Sequence, residues 1–460
     1  MVRLTNWFGP LMLLWPLMLS AQTQPSLAGI LERLDRLERE NRALTAEVRA
    51  LRAKIEVSAG SQAPADGQTV PDAIPPDTPA SPGTTLEEKV EIQGQRIDEL
   101  AQTKVEAAQK FPIRITGMAL FNAFENSRQS AGAQYPTVAS APGMSGAGAS
   151  VRQTILGLEY RGPQTLWGGT VQGNVYMDFA AGGNVLDLRM RTASVEIDWK
   201  NRSIMAGVEK PIFNPRDPSS LAQLAVSPLT GTGNLWLWLP QVRFEQDINF
   251  ASGTGLRAQL GVVQTREAAP YAGSTYTGTL TPARPALEGR FEFFHRLDED
   301  RRIEIAPGFH SSVTHIAGMS VPSSIFSVDW FLNPWRRVEL SGAFYTGQNV
   351  APLGEGYAQG FGIQYGGYIR AVESRGGWGQ LTIHTLPRLD FHLFTGQQDD
   401  NNHDLDTGLI AKNLLFGANL YYHLAPNVIL AWETTQLRTT YLGQGTRINN
   451  HYDLALAYLF

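Results

Sequence analysis

The sequence of 460 residues has no cysteine, and beyond its first twenty residues it has no long apolar run. The lack of cysteine excludes disulfides, thiolate metal sites and a lipidated amino-terminal cysteine. Without a run of about 18 apolar residues, a bundle of transmembrane helices is also excluded. Lysine is scarce, since residues 112–460 contain 3 Lys and 23 Arg against 28 acidic residues. The formal net charge of −5 gives no argument for nucleic-acid binding.

The first 21 residues are typical of a secretory signal peptide. Arg3 supplies the positive charge, residues 11–19 form a short apolar core, and Ser20 and Ala21 offer a small-residue cleavage site. An uncleaved membrane anchor is the alternative, but the apolar run is too short for one. We therefore predict a signal peptide at residues 1–21 and an exported mature protein.

Residues 26–56 carry apolar side chains at alternating spacings of three and four, which is a heptad frame. Asn41 occupies a core position, where a polar residue costs stability but fixes the register. The pattern predicts a parallel, self-associating coiled coil. It leaves open whether two or three helices associate. A lone amphipathic helix is the alternative. The core positions are Leu27, Ile30, Leu34, Leu37, Asn41, Leu44, Val48, Leu51 and Ile55.

Three further regions follow the coiled coil. Residues 57–84 are rich in proline, alanine, serine and glycine, and predict a linker that buries no core. Residues 85–110 keep a weaker helical frame and predict a periplasmic helix. From residue 111 to residue 460 the apolar period changes to two, which predicts strands.

The last strand has the clearest alternation. Tyr452, Leu454, Leu456 and Tyr458 alternate with small or polar residues, and the chain ends at Phe460. A membrane barrel needs one apolar and one slim or polar face on each strand. Sixteen such segments are present, and an even number places both ends of the barrel chain on one side of the membrane. The predicted segments are 112–124, 150–161, 168–180, 186–199, 203–211, 240–249, 255–267, 286–297, 302–313, 323–332, 336–347, 375–386, 389–398, 409–423, 427–439 and 448–460.

The links between these segments alternate in length. Short links, such as residues 424–426, are expected on the periplasmic side, and long polar links, such as residues 125–149, on the extracellular side. The predicted fold class is therefore an all-β transmembrane barrel: a sixteen-stranded antiparallel porin barrel preceded by an α-helical coiled coil. Its predicted location is the bacterial outer membrane, with the coiled coil in the periplasm.

The link at residues 212–239 follows the fifth strand and is rich in proline and poor in charge. Sixteen-stranded porins fold a loop into the pore at this point of the chain. We favour a constriction loop that sets the size limit of the channel. A surface loop and a latch between subunits are the alternatives.

Strand alternation assigns a set of arginines to the lumen. The guanidinium group stays ionised and forms bidentate hydrogen bonds with carboxylates. These arginines are therefore the predicted pore-lining, substrate-binding groups. In the alternative, they pair with local acids, for example Arg243 with Glu245 and Arg290 with Glu292. The predicted residues are Arg189, Arg191, Arg243, Arg257 and Arg290.

Lumen acids without a basic neighbour fall on later strands, at Asp329, Glu339, Glu433 and Asp453. This distribution predicts a field across the pore, basic on one wall and acidic on the other. The alternation also predicts that Asp453 and His451 lie on the lumen wall beside Arg114. Val195 and Ile197 fall on the same face as Arg191, which indicates a β-bulge or a subunit contact on the fourth strand.

Several short phrases resemble the DcaP-like outer-membrane porins. They are Ile113 to Gly117 at the start of the barrel, Asp187 to Arg191, and Pro240 to Glu245, together with the exported coiled coil and linker. The resemblance implies a homotrimer that takes up small, often negatively charged solutes, dicarboxylates among them. The final strand resembles those by which outer-membrane barrels are recognised by the barrel-assembly machinery.

The predicted function is a porin for passive diffusion of small hydrophilic solutes, favouring anions such as carboxylates. No cofactor or metal is predicted, and the outer-membrane lipid and a homotrimer are the expected partners. An envelope spacer, anchored by the barrel and reaching through the coiled coil, is the alternative. An enzyme is not predicted, because adjacent His310 and Ser311 point to opposite faces of a strand and no metal-ligand motif occurs.

Overall fold

A computed structural model describes residues 113–181, 186–265, 285–316, 319–364 and 368–460 of the protein. The predicted signal peptide, coiled coil, linker and periplasmic helix lie outside these residues. In the described part of the chain, no helix is long and apolar enough to cross a membrane.

The described residues form a closed antiparallel barrel of sixteen strands, which confirms the predicted fold class. The second strand is interrupted, and both of its segments pair with the first. A separate hairpin joins Phe361–Gln364 to Tyr368–Ala371, and single 3₁₀ turns lie at Leu166–Gly168, Ala351–Leu353 and Asn402–Asp404. The barrel strands are β1 Ile113–Asn126, β2 Gly146–Ser150 with Ile155–Gln164, β3 Thr170–Asp178, β4 Arg189–Trp199, β5 Arg202–Glu209, β6 Leu239–Ala251, β7 Thr254–Gln264, β8 Pro285–Arg296, β9 Arg302–Ile316, β10 Met319–Trp335, β11 Val338–Gln348, β12 Glu373–Leu386, β13 Leu389–Asp400, β14 Ile410–Ala425, β15 Val428–Tyr441 and β16 Gly445–Leu459.

The barrel closes where β16 pairs with β1. Met118 lies opposite Leu459, and the ladder continues for nine residue pairs. Beyond it, the Gly117 amide donates to the Phe460 carbonyl at 2.9 Å, and the Phe460 amide donates to the Gly117 carbonyl at 3.1 Å. The aromatic end of the chain is thus part of the seam, and no strand edge is left open there.

Side chains alternate across the barrel wall as the period of two predicts. On β16, Tyr452 and Leu454 point outward and are almost half exposed, while Asp453 and Ala455 point inward and are buried. A strand in a bilayer needs this separation, since a lipid-facing Arg near the midplane costs about 2–4 kcal/mol. The sequence therefore predicted the faces of this strand correctly.

The register of the seam corrects one detail. Asp453 lies opposite Phe124, whereas Arg114 lies near the other end of β1, opposite Glu159 on β2. The prediction that Asp453 and His451 lie beside Arg114 is therefore wrong, although both inward positions are correct. Alternation determines which face of the wall a residue lies on. Its position along the barrel axis depends on the stagger between the first and last strands.

The two ends of the barrel differ, as the alternating link lengths predicted. Two-residue turns at 200–201, 252–253, 336–337 and 387–388 lie at one end. The long connections 127–145, 210–238 and 349–372 leave from the other. We call residues 210–238, between β5 and β6, the inserted loop.

The inserted loop supplies much of the apolar core. Ile212, Phe213 and Leu235 are almost fully buried against β7, β8, β10, β11 and the 349–372 connection. Leu229 packs in a second cluster with Trp378 and other side chains that line the inside of β11 to β15. The apolar core of this barrel therefore lies between the inserted loop and the inner wall.

Candidate pore constriction and its charged wall

The inserted loop crosses the lumen and is held by hydrogen bonds to the wall. The Ile212 amide donates to the Glu288 carboxylate at 2.7 Å, and the Ser219 amide donates to the Gln380 side chain at 2.7 Å. This confirms the favoured interpretation of a loop inside the pore and excludes a surface loop. The loop's other wall partners are Ser327 on β10, Asn413 and Asn419 on β14, Glu433 on β15, Asn122 on β1 and Arg189 on β4.

Arg216 is the loop residue that forms ion pairs with three acids of the wall. Its guanidinium bonds Asp329 on β10 at 2.6 Å, Glu304 on β9 at 2.8 Å and Glu292 on β8 at 3.1 Å. Sequence reasoning missed Arg216, although it is one of only two charged residues between positions 212 and 238. A lone cation in a loop poor in charge was the available signal.

Arg290 and Arg257 belong to the same network. Arg290 is 3% exposed and pairs with Asp329 at 2.7 Å and with Glu292 at 2.5 Å. Arg257 pairs with Asp247 at 2.9 Å and with Glu292 at 3.4 Å. For Arg290 the structure therefore matches the alternative of local pairing, and its burial under the loop separates it from the open lumen.

Arg189 and Arg191 on β4 converge on one buried acid. Arg189 grips the Asp178 carboxylate with two nitrogens at 2.6 and 3.0 Å, and Arg191 reaches it at 3.3 Å. Both guanidinium groups also lie within 5.2 Å of the ring centroid of Trp238, at the end of the inserted loop. Their side chains are 25% and 20% exposed, whereas that of Asp178 is 1% exposed. The two arginines therefore keep part of their surface accessible, whereas the acid between them is buried.

A β-bulge lies at this point of β4. Opposite β3, Tyr176 pairs with Thr192 but Met177 pairs with Met190, so Arg191 is the extra residue. Because the extra residue shifts the alternation by one position, even-numbered residues point inward after the bulge. Met190 and Val195 accordingly both point outward. The predicted irregularity on the fourth strand is a bulge.

Arg243 is the arginine without a strong partner. Among the described residues, none accepts a hydrogen bond from its buried Nε atom, and none forms an ion pair with it. The suggested pairing with Glu245 does not form, because Glu245 bonds Arg257 at 3.1 Å instead. The acid that opposes its charge is Glu209 at the end of β5, with which it interacts electrostatically.

The predicted acidic wall is correct in part. Asp329 has two arginine partners, so its assignment as an acid without a basic neighbour is wrong. Glu433 and Asp453 bond only neutral groups in the described residues, namely Ser220, Asn419 and Asn122. The structure therefore keeps acids without a basic partner at β15 and β16, but both are buried, and the field across the pore stays a prediction.

Glu339 faces a cluster of histidines near the short-turn end of the lumen. His384 bonds Glu339 at 3.3 Å and Asp390 at 2.7 Å, and His423 bonds Asp390 at 2.9 Å. Within the described residues, no group of acids and histidines has the geometry of a metal site. The cluster places two histidines and two carboxylates on the lumen wall.

His310 does not hydrogen-bond the adjacent Ser311. Its ring bonds Glu288 at 2.9 Å on one side and Ser312 at 2.9 Å on the other, while Ser311 points outward. His310 and Glu288 are completely buried, and Glu288 also holds the Ile212 amide of the inserted loop. The chain of hydrogen bonds therefore fixes the loop to the wall.

No family model and no curated protein matches the sequence. Solved structures of outer-membrane channels share its fold, among them the following two. The outer membrane channel DcaP of Acinetobacter baumannii is 16% identical, with a TM-score of 0.65 over 76% of this chain and 97% of that one. The anion-selective porin from Comamonas acidovorans is 11% identical, with a TM-score of 0.52 over 76% and 99%. The resemblance to DcaP-like porins is thus confirmed at the level of the fold.

Proposed function

We propose that this protein is an outer-membrane porin through which small hydrophilic solutes diffuse passively. The observation that carries the proposal is the inserted loop, which crosses a closed barrel and is hydrogen-bonded to its inner wall. Sixteen strands enclose a lumen wide enough for water, whereas a simple membrane anchor needs about eight. The shared fold with two outer-membrane channels supports the same function.

We further propose that the channel favours anions such as carboxylates. The loop covers Asp329, Glu288 and Glu433, which are buried, while Arg189 and Arg191 stay partly exposed beside Asp178. Arginine suits this role because it is permanently charged, weakly hydrated and bidentate. Arg257 contributes less, since its neighbours Glu245 and Asp247 are similarly exposed.

The preference for anions is tested at the Asp178 cluster with two variants that change its net charge in opposite directions. Replacing Arg189 and Arg191 by Gln together with Asp178→Asn removes two positive charges and one negative charge, and leaves no buried unpaired acid. We expect the reversal potential in a salt gradient to shift toward cations. Asp178→Asn alone should shift it toward anions.

Arg336→Glu is the control, because Arg336 lies in a short turn and is 73% exposed. Its reversal potential should equal that of the natural protein. Equal potentials in all three variants would contradict anion binding at this cluster but leave the porin function intact. A barrel without ion conductance in planar bilayers would contradict the porin and favour the envelope spacer.

The assembly we propose is a homotrimer inserted by the barrel-assembly machinery, with residues 26–56 as a periplasmic coiled coil. If contacts between barrel walls dominate, deletion of residues 26–56 should weaken the trimer only modestly in detergent. Native electrophoresis across a temperature series measures this. Complete dissociation to monomers at low temperature would show that the coiled coil holds the assembly together.

A further inference from the structure

The connection at residues 349–372 helps to hold the inserted loop over the lumen. Its Val350 and Leu353 side chains are buried in the same apolar cluster as Leu235 of the inserted loop. The Leu237 amide also donates a hydrogen bond to the Leu353 carbonyl at 3.2 Å. Whatever attaches this connection to the barrel wall therefore also affects the position of the inserted loop.

Two buried carboxylates attach the connection to the wall. They belong to Glu355 of the connection and Asp400 at the end of β13, and they are 1% and 2% exposed. The Gln398 side-chain amide donates to both, at 2.9 Å to Glu355 and at 3.2 Å to Asp400. Gln359 joins them a second time, since its backbone amide donates to Glu355 at 2.9 Å and its side-chain amide to Asp400 at 3.2 Å. Two acids and two amides thus link the connection to β13.

The pair has no cation to balance it. Within the described residues, neither Glu355 nor Asp400 forms an ion pair, and the inserted loop presents the uncharged Thr230 and Gly231 to this part of the connection. The nearby cations of β12 and β14 lie on the outer face of the wall, where an acid accompanies them. The other titratable and charged groups around the pair are Tyr345, Tyr357, Asp399, Arg375 and Lys412.

A proton is the neutralising group that the geometry favours. All four carboxylate oxygens of the pair accept hydrogen bonds from amide N–H groups, and these donors would repel a bound metal ion. Burial, followed by the Asp400 charge, raises the pKa of Glu355 from 4.5 to about 8. An acid with a raised pKa stabilises the attached state fully below its ordinary value, and this stabilisation is lost as the pH rises through about 8.

We propose that Glu355 and Asp400 form a pH-sensitive switch, which fastens the 349–372 connection while the pair holds a proton and releases it when both acids are ionised. On release the proton passes to solvent, and the two like charges leave each other's buried surroundings. The Val350 and Leu353 side chains then no longer cover the inserted loop. The switch is a property of the connection, and its test does not depend on conduction through the lumen.

Release of the connection can be measured with a single thiol, because the chain has no cysteine. Val350→Cys places the thiol at a position that is 2% exposed, and Met144→Cys places one at a position that is 88% exposed. The second thiol measures how pH alone changes the reaction with maleimide. In the full-length protein, the ratio of the two labelling rates should rise at least about tenfold between about pH 6 and about pH 8, because the released connection binds fewer protons.

Two substitutions in the Val350→Cys protein separate the switch from general effects of charge. Glu355→Gln removes the buried charge and should keep the ratio at its acid value at every pH. Glu373→Gln removes a charge from an exposed position on β12 and should keep the natural rise. A flat ratio with Glu355 intact would overturn the proposal. So would an equal rise in Glu355→Gln, or a natural rise that calcium chloride abolishes, since a bound cation would then neutralise the pair.

Discussion

Arg216→Ala is expected to release the inserted loop and raise the single-channel conductance. The substitution removes the cation that contacts Asp329, Glu292 and Glu304 and leaves these acids with only their remaining partners on the wall. Removing one partner of a buried ion pair costs about 3–5 kcal/mol, which is enough to change which loop position is populated. Planar-bilayer recordings should show larger and more variable open-channel currents than those of the natural protein.

Arg302→Ala is the matched control for the loop experiment. Arg302 also pairs with Glu304, at 2.7 Å, but it lies on β9 and is more exposed than Arg216. Among the described residues, its side chain has no ion pair with the inserted loop. The Arg302→Ala channel should have the same single-channel conductance as the natural protein. If folded Arg216→Ala also kept the natural conductance, the apolar contacts of Phe213, Leu229 and Leu235 would be sufficient to hold the loop.

Gly117→Val is expected to prevent closure of the barrel. A Cβ at this position would lie 2.3 Å from the Ile155 carbonyl oxygen and 2.9 Å from the Phe460 ring. The first of these is a backbone atom of β2, so relief requires the seam between β1, β2 and the carboxyl terminus to open. We expect a loss of at least about 3 kcal/mol, and a large loss of folded protein in an unheated denaturing gel.

Gly146→Val serves as the control, because an added Cβ at Gly146 on β2 meets nothing within 4 Å. It should give the same gel mobility and melting temperature as the natural protein. A folded Gly117→Val barrel with natural stability would show that the seam tolerates displacement of Phe460, and that the carboxyl terminus is not needed for closure.

The faces of the strands were predictable because they depend on local alternation. The outward Leu454 and Leu456, and the inward Ala455 and Asp453, follow from a period of two on a single strand. The β4 bulge was also visible, as a conflict between the face of Arg191 and that of Val195. The depth of Asp453 in the pore was not, because it depends on the stagger between β16 and β1.

The partners of charged residues were much less predictable. Arg290 and Glu292 are two positions apart on one strand, and this pairing could be suggested from sequence. Arg216 is 113 positions from Asp329, 88 from Glu304 and 76 from Glu292, and no local pattern connects them. Their contact follows from a loop that returns across the lumen to a distant wall.

The sequence by itself determined that the chain is a barrel of sixteen alternating strands, because each strand carries its own division between lipid and lumen. Only the tertiary structure decided which charges remain available to a solute. It buries Asp329 and Arg290 together under the inserted loop and leaves Arg189 and Arg191 partly exposed. The physical reason is that pairing and burial depend on distances between strands and loops far apart in the chain, whereas the face of a residue depends on its immediate neighbours.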